Sequence, residues 1–93
     1  MAFDFESMKT IKFIINNDHG LHARPAGQLV QVASEFSSTI TMKKEGNSAS
    51  AKGLFALMGL GIKPGEAITI EIEGEDEEPA YDAIKNFLEV NLA

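Results

Sequence analysis

Between Ala67 and Glu73 the chain reads AITIEIE, with Ile68, Ile70 and Ile72 alternating with Thr69, Glu71 and Glu73. Side chains two residues apart share one face of a strand, so this segment is committed to a β-strand with one dry and one wet face. Strands of that kind suit an antiparallel sheet, because parallel strands are apolar on both faces. The same period recurs more weakly elsewhere. Ile11, Phe13 and Ile15 alternate with Lys12 and Ile14, and Ile40 and Met42 alternate with Thr39, Thr41 and Lys43. The Glu45-Gly46-Asn47 turn then reverses the chain into a short strand over Ser48-Ala49-Ser50.

Elsewhere the period is helical. Ala26, Leu29, Val30 and Ala33 fall at i, i+3, i+4 and i+7, with Gln28, Gln31 and Ser34 facing out. Pro25 does not oppose this helix, since the first turn has backbone N–H groups with no intrahelical acceptor. The helix therefore begins at residue 22 or 23, with His22 at its N-cap. The segment KGLFALMGLG, residues 52–61, is apolar but holds three glycines, which leaves one or two helical turns over Leu54 to Met58. From Glu77 onward a last helix turns Ala80, Ile84, Phe87 and Leu88 inward and Asp82, Lys85 and Glu89 outward. The order β-α-β-β-α-β-α predicts an α+β domain, one antiparallel sheet covered by helices on one face. Residues 1–7, MAFDFES, have no period and read as an N-terminal extension (a leader, an upstream start or a remnant of expression) ahead of one domain over residues 8–93.

Composition narrows the function. No window approaches about eighteen apolar residues, so no membrane-spanning helix is expected, and the N-terminus lacks the layout of a secretory signal. There is no cysteine, which removes disulfides, thiolate catalysis and the common zinc fingers. These features fit a cytoplasmic location. Eight basic residues against fourteen acidic give a net charge of -6, with no basic stripe for nucleic acid. The acid gathers late, from Glu71 to Asp82, and reads as a solvated strand edge and a helix start, where carboxylates suit the macrodipole.

The chemistry lies in HGLHARPAG, residues 19–27. A helix start offers unpaired backbone N–H groups and partial positive charge, and it binds phosphate readily. A neutral imidazole nitrogen at that place can attack an electrophilic phosphoryl group, and the helix start can hold the resulting anion. Arg24 adds a fixed positive charge with several donors, while Gly20 lets the loop turn sharply. His22, Arg24, Pro25 and a free helix start together describe a phosphorylatable histidine. Set against this is a histidine that merely caps a helix. A His19/His22 metal pair has no third ligand and no fixed geometry, so no metal is expected, and no GxSxG supports serine chemistry.

GLHARPA (20–26), SASAKGLFALMGLGI (48–62) and GEDEE (74–78) together resemble HPr, the histidine-containing phosphocarrier family of the bacterial phosphoenolpyruvate-dependent sugar phosphotransferase system. The resemblance covers residues 8–93 and implies an open-faced β-sandwich, a four-stranded antiparallel sheet with three helices on one side. It implies that His22 accepts a phosphoryl group on Nδ1 from enzyme I, charged by phosphoenolpyruvate, and passes it to IIA domains of sugar transporters. Arg24 would neutralise the phosphate, Ala23 and Arg24 would offer backbone N–H groups, and Pro25 would fix the first turn. No cofactor is implied. The chain would act as a monomeric intermediate in transfer rather than a stand-alone enzyme.

In the family the short helix lies beside the active histidine, which makes Leu54, Phe55 and Met58 the docking candidates. Phe55 and Met58 are the ones expected outside, whereas Leu54 and Leu57 are expected to share in the core. Many members carry a serine directly after the lysine matching Lys52, phosphorylated by a dedicated kinase. Gly53 stands there in this chain, so that switch has no hydroxyl to act on. His19 occupies a place often held by a small polar residue, and reads either as an exposed loop imidazole or as a neighbour of His22. Two other readings remain beside sugar transfer: a carrier in a nitrogen-related branch, and a regulatory docking module that transfers no phosphate.

Overall fold

A computed structural model describes residues 8–93, and the extension read over residues 1–7 lies outside them. The elements run β1 (Lys9–Ile14), α1 (Ala23–Ser34), β2 (Thr39–Lys44), β3 (Asn47–Ser50), α2 (Leu54–Met58), β4 (Ala67–Glu73) and α3 (Glu77–Asn91). The four strands form one antiparallel sheet in the order β1-β4-β2-β3. The strand with the strongest alternation therefore lies inside the sheet, paired on both edges. Ile70 stands between Ile11 and Met42, and Ile72 pairs with Ile40. These five side chains are all buried.

All three helices cover that apolar face. Helix α3 packs on β1 and β4, α2 packs on β3, and α1 lies against both other helices. From α1 the core takes Ala26, Leu29 and Ala33, with Val30 half-buried; from α3 it takes Ala80, Ile84, Phe87 and Leu88. The other sheet face stays open to water. Thr10, Lys12 and Lys43 are exposed there, and Lys43 meets the Glu71 carboxylate at 3.0 Å. The predicted strand over residues 11–15 begins two residues earlier and ends at Ile14. Ile15 leaves the ladder yet remains fully buried, its N–H donating to the Glu66 carbonyl at 2.9 Å.

Two long-range contacts hold the loops. At the β1–α1 loop, Gly20 has φ +69°, and a Cβ there would run into the Ile62 carbonyl oxygen and lie 3.0 Å from Lys63 Cα. That carbonyl accepts the Leu21 N–H at 3.1 Å, so the loop is pinned to the segment before β4. At the other end of the molecule the Asp76 carboxylate accepts the Ser38 hydroxyl, the Ser37 N–H at 2.8 Å and the Ser38 N–H at 3.0 Å. This ties the start of α3 to the start of β2. The Ser38 hydroxyl, then the backbone N–H groups, hold the Asp76 carboxyl down from 3.8 to about 2.

A carboxyl depressed in the folded state stabilises it above its unfolded value and loses that contribution as pH falls toward the folded value. Asp76→Asn should therefore lower the urea midpoint at pH 7, and its gap from wild type should close between pH 3.8 and about 2. Urea titrations across that range check this. Gly20→Ala and Gly61→Ala separate conformation from collision, because Gly61 has φ +63° but nothing within 4 Å of a Cβ. A left-handed residue with a Cβ costs about 1–2 kcal/mol, or roughly 5–10 °C in a domain of this size. Gly61→Ala should lose that much in a thermal melt, and Gly20→Ala clearly more.

Candidate functional site

The loop into α1 alternates between anchored and free residues. Leu21 is buried and hydrogen-bonded to Ile62, and Pro25 and Ala26 are buried under the first turn. His22, Ala23 and Arg24, between these anchors, are exposed. Helix α1 begins at Ala23 with His22 as its N-cap, in extended conformation at φ −92° and ψ −175°. The His22 carbonyl accepts the Ala26 N–H at 3.0 Å. Its imidazole makes no capping hydrogen bond, so the ring is not spent on ending the helix. The Ala23 and Arg24 N–H groups belong to the first turn, which has no earlier helical carbonyl to bond. Pro25 brings no N–H and sets its φ for the helix.

Around this start lies an open cleft of about 410 Å³, lined by Asn17, His19, His22, Arg24, Pro25, Gln28 and Asn91. The His19 and His22 rings are 5.4 Å apart, centroid to centroid, and stand edge to face at 82°. Arg24 makes no ion pair among the described residues, so its guanidinium remains available to an anion. Gln28 follows Arg24 by four residues and so shares its side of the helix. Asn91 arrives from the far end of α3. The Asn16 N–H donates to the Leu92 carbonyl at 2.9 Å and fixes that end against the loop. Among the described residues no group of three or more His, Cys, Asp or Glu side chains is placed to hold a metal ion.

The predicted residues thus come together unevenly. His22, Arg24 and the backbone of Ala23 share the helix start, and His19 joins them. Asn17, Gln28 and Asn91 were not foreseen. Helical spacing could have found Gln28, but nothing local marks Asn91, which sequence places far away. On α2, which packs against α1, Phe55 is 85% exposed and Met58 40%. Leu57 is buried, and Leu54 is half-buried against the core. Gly53 is the N-cap of α2 at φ −120°, a conformation open to any residue. A Cβ there would meet Ala56 Cβ at 3.5 Å, ordinary contact, so the absence of a side chain is a matter of sequence and not of space.

Comparison with known proteins places this geometry in a family. The family model described as "PTS HPr component phosphorylation site" matches residues 9–90. The phosphocarrier protein HPr of Lysinibacillus sphaericus is 42% identical over 87 residues, covering 92% of this chain and 99% of that protein. Among solved structures, a histidine-containing phosphocarrier protein of Mycoplasma superposes with a TM-score of 0.84 at 39% identity, covering 86% of this chain and 91% of the other. An HPr dimer from Thermoanaerobacter tengcongensis gives 0.72 at 40% identity, over 87% and 93%. The open sheet under three helices is the fold shared with these structures, and the chain belongs to the HPr family of phosphocarrier proteins of the phosphotransferase system.

Proposed function

We propose that His22 takes a phosphoryl group from phosphorylated enzyme I and hands it to the IIA components of sugar transporters. The observation that carries this reading is the exposed His22 imidazole, uncapped at the start of α1 and sharing one cleft with the unpaired Arg24. The Nδ1 lone pair attacks phosphorus, and the bond from phosphorus to the donor breaks with its electron pair going to the donor. The Ala23 and Arg24 N–H groups and the Arg24 guanidinium then face the phosphoryl oxygens, where charge-assisted hydrogen bonds are strongest. In the second half the same P–N bond breaks and His22 recovers its lone pair. Nothing is consumed, so the chain is a carrier working between two enzymes.

Docking falls to the exposed side of α2. Phe55 and Met58 offer a small apolar patch, and Leu54 adds its uncovered edge. Exposed large apolar residues on a small domain mark contact sites, and methionine adapts to several partners. A patch of this size suits a transient interface that releases quickly. It leaves the chain working as a monomer, in the cytoplasm, where both partners can reach it. No helix among the described residues is long and apolar enough to cross a membrane.

Incubation with phosphoenolpyruvate and enzyme I should add one acid-labile phosphoryl group to the intact mass, and His22→Ala should abolish it. An unmodified wild-type chain, beside a charged control HPr, would sink the reading. Removing a charged hydrogen-bond donor costs about 1.5–3 kcal/mol, so Arg24→Ala should slow transfer roughly ten- to hundredfold. Phe55→Ser should instead raise KM toward enzyme I about tenfold with kcat nearly unchanged, as loss of an exposed docking contact does. Steady-state transfer kinetics separate the two.

A further inference from the structure

His22 is not alone in its cleft. The His19 ring stands 5.4 Å from it, edge to face, on the loop that α1 grows out of. That loop is held at both ends and across its turn. The Asn17 Nδ2 donates to the Gly20 carbonyl at 2.9 Å, and the backbone of Gly20 lies so close to Ile62 and Lys63 that no side chain fits there. His19 therefore sits on a fixed turn. The Asn17 Oδ1 is buried and has no hydrogen-bond partner among the described residues, and Asn17 lines the same cleft. An orphaned buried acceptor calls for a donor. A protonated imidazole has two N–H donors, one of which such an acceptor can take.

We propose that His19 is a phosphate-binding residue of this carrier: once His22 is phosphorylated, the protonated His19 ring donates to a phosphoryl oxygen, and the chain holds its phosphoryl group more tightly as pH falls. The proposal rests on the reading of His22 as the phosphoryl acceptor. Imidazole is the side chain whose charge changes near physiological pH, so the support given by His19 is graded, unlike that of Arg24, which stays charged. The charged groups that share the cleft with His19 or flank it are Asp18 beside it in sequence, His22 and Arg24 in the cleft, and Lys63 behind Gly20. Linkage is reciprocal: if protonated His19 favours the phosphoryl group, the phosphoryl group favours protonated His19 by the same factor.

That reciprocity supplies the experiment. In full-length protein with 15N-labelled histidine, the ring nitrogens are followed through a pH titration before and after charging with phosphoenolpyruvate and enzyme I. Two negative charges about 5 Å from an imidazolium, in a largely aqueous setting, should raise the His19 midpoint by about one pH unit. The equilibrium of transfer from enzyme I is then measured at pH 6 and pH 8 for wild type and His19→Asn. The variant should lose about tenfold of the wild-type dependence, and the difference removes the share due to His22. His19→Gln, of nearer size, guards against a loop disturbed by the exchange and should behave as His19→Asn does. A charged chain whose His19 midpoint stays put, or variants with an unchanged pH dependence, overturns the role of His19 alone. A chain that takes no phosphoryl group overturns the reading of His22, and this proposal with it.

Discussion

Strand β4 is hydrogen-bonded along both edges, to β1 and to β2, and its three isoleucines face the helices with at most 2% exposure. Ile70 lies in register with Ile11 on one side and Met42 on the other. A one-residue slip of β4 would turn all three isoleucines to water and bring Thr69, Glu71 and Glu73 inside. Each buried isoleucine contributes about 1.5–3 kcal/mol, while a buried unpaired carboxylate would cost more than that. The register of the sheet is thereby set by its central strand. The floor on which α1 and α3 lie follows from it.

The loop that carries His22 makes use of that floor indirectly. Ile62, just upstream of β4, is buried, and its carbonyl receives the Leu21 N–H while leaving no space for a side chain at Gly20. Leu21, Pro25 and Ala26 then enter the core on either side of His22. The nucleophile proposed at His22 has to be exposed to meet its partners, and exposure usually brings mobility. Here Leu21 on one side and Pro25 and Ala26 on the other are buried while His22 is exposed, so the ring is reachable on an anchored backbone. Its extended conformation at the N-cap is the ordinary one for that position, and no backbone strain is stored there.

How much of this could be read from the sequence depended on distance along the chain. β4, the start of α1 and the inward face of α3 were legible because each is a local period or a local cap. His22 and Arg24 were legible because a helix start makes a charged site from neighbours in sequence. The Asp76 clamp on Ser37 and Ser38 was not, since its partners lie 38 and 39 residues apart and no short-range pattern joins them. Asn91 was missed for the same reason. The closeness of the His19 and His22 rings was only half-legible: the spacing of three was plain, but the turn through Gly20 decides where the rings end up, and Ile62 and Lys63 decide the turn.

A carrier with net charge -6 that accepts an anion faces a conflict its fold resolves by placement. The most acid-rich stretch, Glu73 to Glu78, lies at the β4–α3 turn and the first turn of α3, where carboxylates suit the helix start. The other end of α3 carries Asn91 into the cleft. Fifteen residues of helix rise about 22 Å, more than two screening lengths of about 8 Å at physiological salt. A phosphoryl group on His22, as proposed, would therefore see little of that charge and much of Arg24. The carbonyl end of α3 would itself repel an anion, yet part of it is already occupied: the Phe87 carbonyl accepts the Asn91 side-chain amide, and the Leu92 carbonyl accepts the Asn16 N–H. With those carbonyls taken up, the start of α1 still presents its positive partial charge to the cleft.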